Sequence, residues 1–496
     1  MSVYKKFLGQ TMVYGISTIV SRLLNFILTP IFTRSYGAAS LGIFTKMYAY
    51  ASLINAVLAF GMETTFFRYL NKHENQKQQV YNNSFIIVAF ISTLFLITGL
   101  VFIDPITKWL LNNDMSHYQD QRRYVQYFLW LLFSDAICVI PFAKIRADGK
   151  PFRYSIIKFI NIFSYVSISL FFIYGIPLII KNNWPFAEFF ESWFRDKWVG
   201  YVFIANLIAS VITFILLVPE FLMVQFRFNK AMFKTMLSYS WPVLVANLSF
   251  IINENLDKIL LDKYTTEAQV GIYGAVCKLA IFISIFNMAF RLGAEPFFFS
   301  YAKNANAKDT YAKILQYFVI ALSIIFVALT ANIEILKYFI SRDEKHLAEY
   351  WVGLPAVPYL LLGYVCLGVY MNLSIWYRLS DQTRFGLYIS LVGATITIVF
   401  NMVLIPRYSY MGSAWVSMAT YGTMMIISYV LGQKYYPIPY NLKKILLYLI
   451  ISTIIVFTSF FVFNRNIYIG NAMLLAFVAG IFYLEKKDLM KILRKG

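Results

Sequence analysis

Ile445-Leu-Leu-Tyr-Leu-Ile-Ile-Ser-Thr-Ile-Ile-Val-Phe-Thr-Ser-Phe-Phe-Val-Phe463 runs without a single charge, and its apolar residues point to every side of a helix. A helix needs about 20 mostly apolar residues to cross a bilayer, so this stretch reads as a membrane span. Ala472–Leu484 repeats the pattern close by. A membrane β-barrel would instead alternate polar and apolar residues in segments of about ten. The rest of the chain agrees: 59% of its 496 residues are hydrophobic and 14% charged, whereas soluble domains run near 45–50% apolar and about 25% charged. One soluble core cannot absorb that excess, because cores stop growing beyond roughly 250–300 residues. The composition therefore implies an all-α integral membrane protein of about fourteen transmembrane helices. The expected spans begin near Phe7, Leu41, Tyr81, Tyr124, Phe152, Trp198, Met236, Val270, Tyr311, Leu354, Phe385, Gly412, Lys444 and Tyr468.

The net charge of +20 could suggest nucleic acid, but its distribution argues against that. Alternate loops are rich in Lys and Arg, among them Lys144/Arg146/Lys150/Arg153, Arg227/Lys230/Lys234 and Lys486–Lys495. The other set, including Asp104–Arg123 and Lys181–Lys197, has about half as many bases, nearly balanced by acids. This positive-inside bias places both termini in the cytoplasm of a multi-pass membrane protein. No cleavable signal peptide is evident after Lys5 and Lys6. Cys138, Cys277 and Cys366 lie singly in apolar surroundings, and His73, His117 and His346 are scattered. No metal site and no cofactor are expected, and the lack of a Gly-rich phosphate loop argues against ATP hydrolysis.

The Trp184–Trp198 segment places Phe186, Phe189, Phe190, Trp193 and Phe194 at helical spacing among charges, which predicts an amphipathic helix anchored in the interface. The chain also echoes itself. Gly61-Met-Glu-Thr-Thr-Phe-Phe-Arg-Tyr69 returns as Gly293-Ala-Glu-Pro-Phe-Phe-Phe-Ser-Tyr301, and Leu41-Gly-Ile-Phe44 as Val270-Gly-Ile-Tyr273. A weaker echo relates Arg146-Ala-Asp-Gly-Lys150 to Arg378-Leu-Ser-Asp-Gln382. Three echoes in one order, six spans apart, predict two six-helix lobes, 1–234 and 235–440, with a helix pair and basic tail at 441–496. Orientation-preserving repeats with a site between them are a transporter plan.

A charge at the centre of a span costs about 2.5–3.5 kcal/mol even on the lenient insertion scale, so such residues usually face a cavity or a partner. Arg22, Lys46, Lys278 and Arg291 have no clear counter-charge nearby in sequence, save Glu295 one turn from Arg291. They are the candidate cationic contacts for a phosphate-bearing or acidic ligand, Arg as a bidentate fork and Lys as a point charge. Glu63, Asp135, Glu254 and Glu295 are the candidate coupling or pairing acids, with Glu63 also near Arg68.

Two stretches carry a family resemblance. Ser21-Arg-Leu-Leu-Asn-Phe-Ile-Leu-Thr-Pro-Ile-Phe-Thr-Arg-Ser-Tyr-Gly-Ala-Ala-Ser-Leu-Gly-Ile-Phe44 resembles the first helix and turn of polysaccharide flippases. Asn401-Met-Val-Leu-Ile-Pro-Arg-Tyr-Ser-Tyr-Met-Gly-Ser-Ala-Trp415 resembles their eleventh helix and tight outer turn, with Pro406 ending the helix and Gly412 allowing close packing. The family lies in the multidrug/oligosaccharidyl-lipid/polysaccharide exporter superfamily. The resemblance implies a V-shaped pair of lobes that moves an undecaprenyl-pyrophosphate-linked glycan to the outer leaflet by alternating access. It also implies polysaccharide polymerase machinery as a partner, and cavity roles for Arg22, Lys46, Lys278 and Arg291. Asp257-Lys258 resembles an Asp-Arg pair of the family, with Lys lacking the bidentate fork. The alternatives are a lipid II flippase or a multidrug cation antiporter of the same superfamily. A membrane polysaccharide polymerase stands further off, because it would need a large outer loop carrying catalytic bases.

Overall fold

Long apolar runs become long helices because, without water, only intra-helical bonds satisfy the backbone. The computed structural model describes residues 28–111, 115–302, 304–340, 344–380 and 382–493, and among them it contains helices and no strand. Eleven of these helices have the length and apolarity to cross a membrane, against about fourteen expected. The first expected span, near Phe7, lies outside the described residues. Gly200–Leu216 is apolar but shorter than the rest. Arg384–Tyr435 is two helices joined at Ser409, where φ is 52° and ψ −137°.

The chain divides into two compact units, Met1–Ala268 and Gln269–Gly496. In the first, Tyr118–Ala147 packs against Lys77–Val101 and Gly200–Leu216, and the latter also packs on Pro151–Leu170. Met62, Phe66, Tyr81, Ile140 and Met236 form one buried cluster there. The Lys230–Tyr264 helix, expected to open the second lobe at 235, packs along Ala38–Ala59 inside this unit. The same helix also packs against Met62–Lys72, where small and hydroxylated residues allow a close approach. A Cβ on Gly61, which has φ +63°, would lie 2.9 Å from the Ser240 carbonyl oxygen, and Thr65 and Ser240 share a hydroxyl hydrogen bond of 2.6 Å.

In the second unit, Val357–Leu373 packs against Arg384–Tyr435 around Trp376, Tyr421 and Met424. Gly412 folds back on the preceding helix, where a Cβ would meet the Leu404 carbonyl at 2.8 Å. Ala307–Ala331 carries both terminal helices. Glu485, 1% exposed, fixes them by accepting from Gln316 Nε2 at 3.1 Å, from Lys444 Nζ at 2.9 Å and from the Tyr448 hydroxyl.

The expected amphipathic helix at Trp184–Trp198 is reduced to Ala187–Glu191. Asn183, Phe186 and Lys197 have positive φ, which interrupts helical propagation on both sides. Phe186, Phe189 and Trp193 remain exposed, as an interfacial anchor requires.

Candidate functional site

Lys46 lies in the Ala38–Ala59 helix and is 2% exposed. Its ammonium meets Asp262 Oδ1 at 3.1 Å and Glu267 Oε1 at 2.8 Å, and reaches the Leu110 carbonyl at 3.5 Å. A buried cation is tolerated when carboxylates and carbonyls replace its water. Lys46, expected to offer its charge to a ligand, instead has two carboxylates on it. Sequence reasoning does not single out either acid, because both flank a turn between spans and read as loop charges. Backbone proximity holds the turn in place: a Cβ on Gly42 would fall 1.8 Å from the Glu267 carbonyl oxygen.

Above this ion cluster opens a cavity of about 610 Å³, lined by Lys46, Asp262 and Glu267 together with Gln121, Tyr124, Asp120, Arg195 and Trp198. Arg195 grips Asp120 through two parallel bonds of 2.6 and 2.8 Å, and its guanidinium lies 5.2 Å from the Trp198 ring centroid. Hydrogen bonds from Arg122 and Tyr118 hold the Asp104 carboxyl below its ordinary range.

Glu63 Oε1 pairs with Arg146 Nη1 at 2.8 Å, not with Arg68. Arg68 lies over the Tyr239 ring at 4.1 Å, and Arg146 over Phe67 at 4.7 Å. Glu295 pairs with Arg378 at 2.6 Å. In both cases an arginine from a neighbouring helix reaches the carboxylate. Gly61 bends the chain at positive φ, whereas its echo Gly293 stays inside the Glu267–Tyr301 helix with open space around it.

Arg291, Glu295 and Arg378 line one pocket of the second unit, with Asn287 and Asn372. Asn287 Oδ1 and Asn372 Nδ2 are buried without a hydrogen-bond partner, polar atoms that the sequence reading overlooks among apolar neighbours. Lys278 sits on the same helix as Arg291, half-buried. Asp135 accepts from the Ser210 hydroxyl at 2.6 Å. Glu254 gives its backbone carbonyl to Lys258 Nζ at 2.7 Å, and Lys258 also pairs with Asp257 at 3.0 Å. Arg22 lies outside the described residues. An apolar groove of about 460 Å³ runs between the last two helices, lined by Ile451, Ile454, Met473, Phe477 and Leu484.

Residues 7–137 and 197–302 match the family described as polysaccharide biosynthesis protein. An uncharacterized membrane protein of Methanocaldococcus jannaschii is 23% identical over 89% of this chain and 86% of its own. The fold is similar to that of the lipid II flippase MurJ in an inward closed conformation (TM-score 0.73, 13% identity, 97% of this chain and 100% of the other). It is also similar to an inward-facing multidrug resistance transporter of the MATE family in the MOP superfamily (TM-score 0.64, 15% identity, 86% and 97%).

Proposed function

We propose that the chain, whose residues 7–137 and 197–302 match the polysaccharide biosynthesis protein family, is a flippase for polyprenyl-pyrophosphate-linked oligosaccharides. The observation that carries this reading is the Lys46–Asp262–Glu267 cluster, a buried ionic contact beneath a polar cavity in an otherwise apolar bundle. Burying the Lys46 and Asp262 charges adds little net stability over well-packed apolar residues, so the cluster suits a contact that has to open and re-form. The loop-charge bias puts this end outside, which makes the cluster an outer gate beneath which a polar headgroup would be held.

Lys278 and Arg291, with Arg22, are the cations assigned to the pyrophosphate in this reading, with Asn287 and Asn372 offering neutral contacts. Asp135, Glu254 and the Glu63 and Glu295 pairs are the places where an ion could couple to movement. The groove along Ile451, Ile454 and Phe477 suits the prenyl chain, which stays in lipid while the headgroup crosses. The sequence lobes 1–234 and 235–440 would alternate access to the cargo, with 441–496 as the lipid-tail platform.

Reconstitution into proteoliposomes with a fluorescent polyprenyl-pyrophosphate trisaccharide tests the proposal. The protein should deliver the sugar to an enzyme confined to one side, and Lys278→Ala should stop delivery at normal protein levels. Delivery of lipid II alone would move the assignment to that cargo, and efflux of an organic cation alone would overturn the flippase reading.

A further inference from the structure

The 610 Å³ cavity above the ion cluster has a chemistry different from that expected of a pyrophosphate site. Lys46, Arg195 and Lys197 face Asp120, Asp262 and Glu267 across it, so its charges balance. Two of the three cations already hold carboxylates at 2.6–3.1 Å. An anion entering here would displace a carboxylate, and an organic cation would displace a base. A neutral, hydroxyl-rich ligand displaces neither.

The polar groups are also the kind that hydroxyls use. The Asp120–Arg195 fork is planar and fixed, with its outer lone pairs and N–H groups free to bond further. Gln121 is 2% exposed and lines the cavity. Its amide nitrogen meets only the Met47 thioether, at 3.5 Å, a weak acceptor. A buried amide so poorly bonded is expensive unless something else uses it. Trp198 and Tyr124, with centroids 5.8 Å apart, add aromatic surface for the C–H face of a sugar ring. The volume is that of an ordinary small-molecule site.

We infer that this cavity is a saccharide site, which holds an uncharged part of the glycan at the outer mouth while the Lys46 cluster beneath it is closed. The inference rests on the flippase reading for the identity of its glycan and on the loop-charge bias for its side of the membrane. It separates two jobs within one cargo: pyrophosphate is met inside the bundle by cations, and sugar is met at the rim by amide, carboxylate–guanidinium fork and aromatic surface.

The test uses the full chain in lipid nanodiscs. The probe is the reducing oligosaccharide released by mild acid from the host cell's carrier-linked repeat units, with inorganic pyrophosphate as competitor. Titration calorimetry should show binding that pyrophosphate does not displace. Gln121→Leu and Trp198→Ala should each weaken it about tenfold, the scale of one lost hydrogen bond or aromatic contact. In the unaltered protein the oligosaccharide should shield Lys197 from amine acylation, which keeps the test intact should a variant fold poorly. Absence of binding, equal affinity in both folded variants, or competition by pyrophosphate would overturn the site. If the oligosaccharide binds as expected but the proteoliposomes deliver no lipid-linked sugar, the site stands and the flippase reading falls. Delivery without oligosaccharide binding has the opposite meaning.

Discussion

Glu63 and Arg146, on different helices of the first unit, pair at 2.8 Å, and their sequence echoes Glu295 and Arg378 pair at 2.6 Å in the second. Each partner is displaced along the chain by the same number of positions. Two short echoes that look like coincidence in Phe-rich sequence thus meet in space as one repeated contact. The repeat preserves the pair more faithfully than the backbone around it, since Gly61 bends and Gly293 does not.

All four side chains are about one-third exposed or more, so the pairs should be modest. Double-mutant cycles with Glu63→Gln/Arg146→Gln and Glu295→Gln/Arg378→Gln should give coupling of about 0.2–1 kcal/mol each. Thermal denaturation of the purified protein reads this. A coupling several-fold larger in one unit than the other would mean that the echo is not energetically symmetric.

Lys46 is a different case because it is buried. Lys46→Ala leaves Asp262 and Glu267 facing each other without a cation, at a cost of about 3–5 kcal/mol. The folded fraction after detergent extraction should fall sharply. Adding Asp262→Asn and Glu267→Gln should restore much of it while leaving transport impaired. Lys46→Ala protein as stable as the parent would remove the cluster from the account.

Gly42 has no room for a side chain, because a Cβ would lie 1.8 Å from the Glu267 carbonyl oxygen. Gly42→Ala should therefore push the turn away, lower the melting temperature and disturb transport together. Gly422→Ala, where nothing lies within 4 Å, serves as the control and should leave both unchanged. Equal behaviour of the two would argue that the turn adjusts freely.

Glu485 holds the terminal helices to Ala307–Ala331 through Gln316, Lys444 and Tyr448. Glu485→Ala removes the shared acceptor and strands several donors, at about 1–3 kcal/mol for each buried group left unsatisfied. Limited proteolysis should then cut the 436–441 connection faster than in the parent. Unchanged cleavage would show that apolar packing alone holds the pair.

Spans are legible in the sequence because the cost of placing a residue in lipid is summed locally along the chain; Ile445–Phe463 needs no knowledge of its neighbours. Ion partners are not. Lys46 finds Glu267 more than two hundred positions away, and Glu295 is met by Arg378, which the sequence presents as an ordinary cytoplasmic base. Glu485 hides for a similar reason, since it adjoins the basic tail and reads as solvated. The echoes of Glu63 and Arg146 carried the one usable signal of pairing. Gln121 and the Asn287–Asn372 amides gave none, because an uncharged polar residue in a span looks the same whether or not its neighbours satisfy it.

The Ser409 turn has a further consequence. With Gly412 folded onto Leu404, only the short turn around Arg407 and Ser409 separates the two helices of Arg384–Tyr435. So short a linker leaves a ribosome-bound chain no length in which to release the first half into lipid and thread the second later. The two must leave the translocon side by side, as a preformed hairpin, so biogenesis of the second unit counts them as a single insertion event.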